Sequence, residues 1–236
     1  MHDYCLICHI PIAFEPKWTT LFLPQPPKYL CNDCENKLIP IKQPICHICG
    51  RPMEKLPKEY IVEETLCLDC QRWEEDQKWK GVLDKNISLY EYDDFLKDII
   101  ARFKFRGDYI LSRIFSQKIN EILKTLDYSA IVPIPLSQER LKERGFNQAA
   151  ALANEAELQV MDILHRTNTE KQSKKSRQER IQLHQIFTVS NPSAIMNRSI
   201  ILIDDIYTTG STLRHAAKEL KEAGANSVTA LTVARG

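Results

Sequence analysis

Residues 200–212, with the sequence IILIDDIYTTGST, constrain the fold of this 236-residue chain more than any other segment. They open with four apolar residues, three of them isoleucine, which is typical of a buried strand in a parallel sheet. Asp204 and Asp205 follow, and a run of Thr, Gly and Ser leads into a helix that we expect to begin near Leu213. Small residues at a helix N-terminus let several backbone N–H groups converge on an anion. This order predicts two carboxylates beside a phosphate site, a combination that suits a sugar phosphate.

The same segment resembles the signature with which type I phosphoribosyltransferases bind phosphoribosyl pyrophosphate (PRPP), and every position of that pattern is met. The resemblance implies that Asp204 and Asp205 hold the ribose 2′- and 3′-hydroxyls. It assigns the 5′-phosphate to the loop residues Thr208, Thr209, Gly210, Ser211 and Thr212. The alternative is a buried strand that ends in a solvated acidic turn, but a match of this length is far more specific than a short motif.

Charge and hydropathy limit the remaining function classes. The chain has 32 Lys and Arg against 31 Asp and Glu, so a nucleic-acid site must come from local clusters rather than from net charge. No apolar run approaches the roughly 18 residues of a membrane span, and the first residues lack the pattern of a secretory signal. We therefore expect a cytoplasmic protein without an integral membrane segment.

All eight cysteines fall in the first 70 residues, as four Cys-x-x-Cys pairs. A gap of two residues places both thiolates on one side of a tight turn, where each can reach a tetrahedral Zn²⁺ at about 2.3 Å. Eight sulfurs predict two closed, structural zinc sites of four cysteines each, since a catalytic zinc keeps one open position. The predicted metal ligands are Cys5, Cys8, Cys31, Cys34, Cys46, Cys49, Cys67 and Cys70.

Alternatives stay open for these cysteines. The simplest pairing is sequential, with the first two pairs on one ion and the last two on the other, but an interleaved pairing also fits. Disulfides would need an oxidising compartment, and redox catalysis would need a thioredoxin-like βαβ unit around a pair. His9 and His47 each follow a cysteine directly and could replace a ligand.

The chain divides by composition into residues 1–80 and residues 81–236. The first part has prolines and short apolar stretches and little other means of folding. Zinc would supply its folding free energy, about 10–16 kcal/mol per site in small zinc modules. We expect a module with two four-cysteine zinc sites there, which unfolds on chelation and leaves the second domain largely folded.

The second domain alternates strand and helix patterns, which predicts a parallel sheet flanked by helices. We expect strands at 87–93, 130–134, 187–189, 200–203 and 227–233, a short helix or a joint over 71–85, and longer helices from a cap at Asp94, at 109–124, from Phe146 and at 213–223. Ligands bind at the C-terminal ends of the strands in such sheets. The loop after Ile134 should therefore lie beside the loop after Ile203.

Basic residues cluster in three segments of that domain. One of these segments, residues 166–180, carries six Arg or Lys and two Glu, which gives it a local charge of +4. Such clusters bind phosphates by releasing counterions. Phe103, Phe105 and Phe146 lie among or next to the basic residues of the other two segments and could stack on bases. The alternative is an ordinary solvated face, with Phe103 in the core. The residues predicted to contact DNA or pyrophosphate are Arg102, Lys104, Arg106, Arg140, Lys142, Arg144, Lys171, Lys174, Lys175 and Arg177.

Four features in order extend the resemblance to nearly the whole chain: the Cys-rich module, RFKFRGD at 102–108, VPIPLSQERLKERGFNQA at 132–149, and the signature. Together they are similar to the ComF family of late-competence proteins, which join a zinc module to a phosphoribosyltransferase-like domain. The resemblance implies a competence factor in natural transformation and DNA uptake. Its implied partners are single-stranded DNA and a competence helicase.

Two functions follow from this resemblance. In the first, the chain handles single-stranded DNA with little or no catalysis. In the second, it is an active phosphoribosyltransferase: PRPP and Mg²⁺ bind the signature, and a base or amine displaces pyrophosphate. Pro133, Ile134 and Pro135 stand where related enzymes have a pyrophosphate loop of small residues, and they donate fewer amides. A P-loop nucleotidase is excluded because the chain has no Walker A motif.

Overall fold

A computed structural model describes residues 4–12, 27–167 and 186–236 of the chain. The strands are β1 (Ile61–Glu63), β2 (Leu66–Cys67), β3 (Lys85–Glu91), β4 (Ala130–Pro133), β5 (Leu164–Arg166), β6 (Phe187–Val189), β7 (Ser199–Tyr207) and β8 (Ser227–Arg235). The α-helices are α1 (Asn32–Lys37), α2 (Leu68–Glu75), α3 (Asp94–Phe105), α4 (Arg113–Leu123), α5 (Gln138–Arg144), α6 (Gln148–Glu155) and α7 (Ser211–Glu222).

The second domain is built on a four-stranded, fully parallel sheet in the order β3-β8-β7-β4. Within it, Ile201 of β7 pairs with Ile131 of β4 on one side and with Thr229 of β8 on the other. The apolar residues 200–203 are at most 2% exposed, and this burial explains their unbroken apolar run. Helices α6 and α7 pack against β7, while β5 and β6 form a separate antiparallel pair. The predicted α/β class, a parallel sheet flanked by helices, is confirmed.

The C-terminal ends of β4 and β7 meet, as parallel neighbours must. Ile134 N donates to Ile203 O at 3.0 Å. Asn147, which caps α6, donates its Nδ2 to the Ile134 carbonyl at 3.0 Å. The loop after Ile134 therefore lies beside the loop that follows the signature strand, as the strand order predicts.

Two boundaries near the signature and in α3 differ from the sequence expectation. Asp93 rather than Asp94 caps α3, because its Oδ1 accepts the N–H of Leu96 at 2.8 Å. Strand β7 does not stop at Ile203 but runs through both aspartates to Tyr207, since its pairing with β8 continues. The acidic pair is consequently held on a strand rather than on a loop.

Two helices also lie where the sequence expectation placed other structure. Helix α5 forms in the basic segment that we expected to be a loop, with Ser137 as its N-cap and Gly145 in the left-handed conformation as its C-cap. Helix α2 begins directly after Cys67 and ends at Glu75, whereas we expected a short helix or a joint over 71–85. The fourth cysteine pair is therefore carried by a helix N-terminus.

The zinc-binding part docks along β3. Ile41 N donates to Leu89 O at 3.2 Å, and Asn86 N donates to Ile48 O at 2.6 Å. The hydrophobic core runs without a break from the buried cysteines to the sheet. Docking of this kind covers a strand edge that would otherwise be open to pairing with another chain. Within the described ranges, no helix has both the length and the apolar surface that a membrane crossing requires.

Candidate functional site

The acidic pair of the signature is largely buried in the C-terminal half of β7. Asp205 is 7% exposed, and its Oδ2 lies 2.8 Å from Lys104 Nζ at the end of α3. The Asp205 N–H donates to Asp204 Oδ1 at 2.9 Å. Burial of the Asp204 carboxyl, and then the adjacent Asp205 charge, raises the pKa of Asp204 to about 7. Near neutral pH Asp204 can therefore either accept or donate a hydrogen bond to a sugar hydroxyl.

The loop between β7 and α7 has the features of a phosphate site. Thr208 and Thr209 are exposed, and the Ser211 N–H faces Thr209 Oγ1 at 3.4 Å. Gly210 has φ +78°, and a Cβ there would overlap Tyr207 Oη, so only glycine fits. The loop ends at the N-terminus of a 12-residue helix, where free N–H groups and the helix dipole favour an anion.

One basic side chain from α3 and one from α5 lie at the acidic pair. Lys104 binds Asp205, as described above. Arg144, half-buried, donates to Gln148 Oε1 at 2.8 Å and lowers the pKa of Asp204 through its charge. The other predicted contacts of these helices, Arg106, Arg140 and Lys142, are exposed to solvent. The structure thus places two of the predicted basic residues, Lys104 and Arg144, at the acidic pair and leaves the other three exposed on or next to the same helices.

Arg102 takes a different position from the other predicted basic residues. Its Nε faces Asp108 Oδ2 at 3.3 Å, and its Nη atoms donate to the carbonyls of Ile7 and Leu6 at 3.3 and 3.5 Å. These contacts join α3 to the first cysteine pair, so the structure places Arg102 at a module contact. The remaining predicted residues, Lys171, Lys174, Lys175 and Arg177, lie outside the described residues.

The three phenylalanines predicted as stacking surfaces are placed differently from one another. Phe103 is 1% exposed in the core, and Phe146 packs on it with ring centroids 5.4 Å apart. Phe105 is 71% exposed, and the Arg144 guanidinium lies 5.4 Å above its ring. The core alternative therefore holds for Phe103, whereas Phe105 offers an open aromatic face beside a cation.

One basic residue of the site was missing from the sequence-based set. Arg166, at the end of β5, has its pKa lowered by burial and by Arg140, while Asp204 opposes the shift. These mutual effects place Arg166 close to both the acidic pair and α5. The sequence contained a hint of this, since Arg166 is the first residue of the basic segment 166–180. That segment alone did not show which of its cations reaches the two aspartates.

The eight cysteines form two groups whose sulfurs suit tetrahedral zinc. One group is Cys5, Cys8, Cys31 and Cys34; the other is Cys46, Cys49, Cys67 and Cys70, and the ligand atoms of each lie within 4.8 Å of one another. The sulfurs of Cys8 and Cys31 are 3.6 Å apart and those of Cys49 and Cys67 are 3.7 Å apart. A tetrahedron with Zn–S bonds of about 2.3 Å needs about 3.8 Å. The grouping is that of the sequential pairing, and no cysteine is in a disulfide.

Sequence reasoning also missed the contact between the second cysteine group and the loop. Tyr207, Arg214 and Arg235 are buried there. A cleft of about 380 Å³ lies beside them, between α2 and the loop. No motif marks these residues, because an arginine in a helix pattern indicates a solvated charge until its partners are known.

Comparison with known families agrees with this geometry. Residues 141–236 match the phosphoribosyl transferase domain family, and residues 3–71 match the double zinc ribbon domain family. The parallel sheet and the two four-cysteine groups, taken with these matches, define a zinc-ribbon protein with a phosphoribosyltransferase-like domain.

Three curated relatives narrow the assignment. The chain is 40% identical to competence protein ComFC of Bacillus subtilis (strain 168), covering 98% of this chain and 94% of that protein. It is 32% identical to competence protein ComFC of Streptococcus pneumoniae (strain R6), covering 98% and 99%. It is 27% identical to competence protein F of Haemophilus influenzae, covering 87% and 90%. The chain belongs to the ComF family of competence proteins.

Proposed function

We propose that the protein is a competence factor that handles incoming single-stranded DNA in the cytoplasm during natural transformation, with a competence helicase as partner. The observation that carries the proposal is the basic and aromatic surface beside the acidic pair. On this surface, Phe105 is 71% exposed with Arg144 over its ring, and Lys104 reaches Asp205 from the neighbouring position. The names of the relatives, competence proteins, support the biological role.

The surface and the loop suit two different parts of a ligand. Exposed cations at Arg106, Arg140 and Lys142 suit a phosphate backbone, and stacking on Phe105 would add about 1–3 kcal/mol per base. The acidic pair suits free ribose hydroxyls. Within a DNA strand the sugar has no 2′-hydroxyl and its 3′-oxygen is esterified. We therefore assign the DNA strand to the basic and aromatic surface, and a ribose 5-phosphate group such as that of PRPP to the pocket at β7.

Binding of the ribose phosphate follows from the chemistry of these groups. The 5′-phosphate would accept from the N–H groups of residues 208–212, at a helix N-terminus. The ribose hydroxyls would bond to Asp204 and Asp205, and Lys104 would share Asp205 with them. A buried lysine–carboxylate pair holds both side chains in place, so little ordering is left to be done on binding.

The second candidate function is phosphoribosyl transfer with PRPP and Mg²⁺. The charges of Lys104, Arg144 and Arg166 near the acids favour it, because they could stabilise a departing pyrophosphate. Proline at 133 and 135 argues against a complete pyrophosphate loop, since proline has no N–H to donate. Release of pyrophosphate from PRPP and Mg²⁺ in the presence of each common base would establish this function.

The DNA role is tested with a labelled oligonucleotide. We expect Phe105→Ala, and separately Arg106→Gln with Arg140→Gln and Lys142→Gln, to weaken binding about tenfold at about 50 mM salt. Phe105→Ala should lower the affinity, and the triple variant should also lower the dependence of that affinity on salt. Both should leave PRPP binding unchanged. Asp204→Asn with Asp205→Asn should do the opposite, abolishing PRPP binding and sparing the oligonucleotide.

A matched control removes three exposed lysines elsewhere. Lys80, Lys85 and Lys124 are exposed; Lys85 opens β3, and Lys124 precedes β4, so these two lie towards the N-terminal ends of the parallel strands, whereas the acidic pair lies towards the C-terminal ends. Their replacement by glutamine changes net charge by the same amount as the triple surface variant. Equal losses in both triple variants would mean that DNA binds by charge alone and would contradict the assigned surface.

A further inference from the structure

Two arginines are buried between the second cysteine group and the candidate phosphate loop. Arg214, in the first turns of α7, is 0% exposed, and Arg235, at the end of β8, is 5% exposed. Among the residues that the structure describes, neither forms an ion pair with a side-chain carboxylate, and Arg235 Nη1 also donates to the Gly236 carbonyl oxygen. Burial of a guanidinium is costly unless an anion compensates it. These two charges therefore need an anionic partner of another kind.

The second cysteine group is placed to be that partner. Arg235 Nη2 lies 3.5 Å from Cys49 Sγ, and Arg214 Nη2 lies 3.9 Å from Cys70 Sγ. Cysteines bind zinc as thiolates, so four of them with one Zn²⁺ carry a net charge of about −2. Two guanidinium groups offset that charge. The fit of charges explains how both arginines are tolerated in the interior.

The same two guanidinium groups hold the loop with their other donors. Arg235 Nη1 donates to Tyr207 O at 3.2 Å and to Thr208 O at 3.0 Å. Arg214 Nη1 donates to Tyr207 Oη at 2.5 Å. Gly210 lies against this tyrosine–arginine pair so closely that a Cβ would overlap both partners. The start of the loop is thus held by hydrogen bonds from the zinc side, and Gly210 packs against the same tyrosine–arginine pair.

The geometry points to a positioning role for Arg214 and Arg235: zinc in the second cysteine group sets the conformation of residues 207–210 through them, and so sets the affinity of the loop for a phosphate. This inference rests on the proposed function in taking the loop as the phosphate site. The first cysteine group instead reaches α3 through Arg102. Loss of the second zinc should therefore loosen the loop, which belongs to the other domain, whereas loss of the first should not.

Hydrogen exchange of the loop, read without any ligand, tests this coupling. Cys67→Ser removes a ligand of the second group that touches neither arginine, and Cys8→Ser is the matched change in the first group. Native mass spectrometry should find one zinc in each variant. We expect amides 207–213 to exchange about tenfold faster in Cys67→Ser and within about twofold of wild type in Cys8→Ser. Equal exchange in the two variants would overturn the inference.

If the cysteine variants do not fold, Arg235→Gln tests the positioning role instead. It leaves all eight zinc ligands intact, so two zinc ions should remain bound. We expect about tenfold faster exchange of the loop and about tenfold weaker binding of ribose 5-phosphate, and Arg235→Lys, which keeps the charge, should recover part of both. Unchanged exchange in Arg235→Gln would overturn the positioning role. If wild type fails to bind ribose 5-phosphate, the proposed function fails, and the exchange result still decides this one.

Discussion

Lys104 Nζ lies 2.8 Å from Asp205 Oδ2, an ion pair that joins the end of α3 to the signature strand β7. The side chain of Lys104 is only 16% exposed and that of Asp205 only 11%. The pair places a cation directly at the acids that the signature assigns to the sugar. It also ties the basic end of α3, with Phe105, to the candidate ribose site, so that one contact organises both proposed binding surfaces.

Loss of this pair should cost stability. Lys104→Gln would leave the Asp205 carboxylate buried without its cation, and we expect a loss of about 2 kcal/mol, below the roughly 3–5 kcal/mol of fully buried pairs. Urea unfolding at neutral pH measures it. Lys97→Gln, on the exposed side of the same helix, is the control and should change stability by less than about 0.5 kcal/mol. Equal effects of the two changes would contradict a structural ion pair at Asp205.

The raised pKa of Asp204 predicts a dependence of stability on pH. Its value is 3.8 in a model peptide and about 7 in the folded chain, so the folded state binds the proton more tightly than the unfolded state. Stability from this group is therefore present below about pH 4 and is lost as the pH rises through about 7. Asp204→Asn, which keeps the oxygen that accepts from Asp205 N, should melt at a higher temperature than wild type at about pH 8 and at the same temperature at about pH 4. A constant difference at both pH values would contradict the assignment.

Gly210 should be far less replaceable than a glycine of the same backbone conformation elsewhere. Gly81 has φ +67° with open space around it, so Gly81→Ala should cost about 1 kcal/mol, the strain of the left-handed region. Gly210→Ala adds an overlap with Tyr207 and Arg214, and we expect a loss of about 3 kcal/mol together with loss of ribose 5-phosphate binding. Thermal melts and calorimetry of the two variants give the comparison. Similar stability losses would show that the loop relaxes freely away from the arginines.

Zinc counts in double variants test the sequential grouping of the cysteines. Cys8→Ser with Cys34→Ser falls within one group and should leave one zinc bound, measured by native mass spectrometry. Cys8→Ser with Cys46→Ser affects both groups and should leave none. An interleaved pairing predicts the reverse, with no zinc in the first double variant and one in the second.

The sequence was most informative where one local pattern carries the chemistry. The run 200–203 predicts a buried strand because both faces of a parallel strand are covered, and Cys-x-x-Cys spacing predicts a metal site because geometry fixes it. The sheet, the strand neighbours and the double zinc module were therefore predictable. The boundaries of helices and strands were less predictable. Asp93 and Asp94 are equally good helix caps by residue type, and only the hydrogen bond from Leu96 N–H distinguishes them.

Long-range partners could not be read from local patterns. Arg102 and Lys104 are two residues apart on one helix, yet one contacts the first cysteine pair and the other contacts Asp205. Arg214 and Arg235 resemble surface charges in sequence, and their burial follows from the thiolates that the fold brings beside them. Docking of the zinc module on β3 and β8 creates these contacts, and composition alone suggested two separable parts.

The twin-aspartate strand end and its loop are proposed to form a pocket for a ribose 5-phosphate group, and a crystal structure with ribose 5-phosphate bound tests this pocket. We expect the phosphate within hydrogen-bond distance of the amides of residues 208–212 and two sugar hydroxyls on Asp204 and Asp205, with Lys104 still beside Asp205. A phosphate bound elsewhere, with the loop closed and both carboxylates facing away from the sugar, would contradict it.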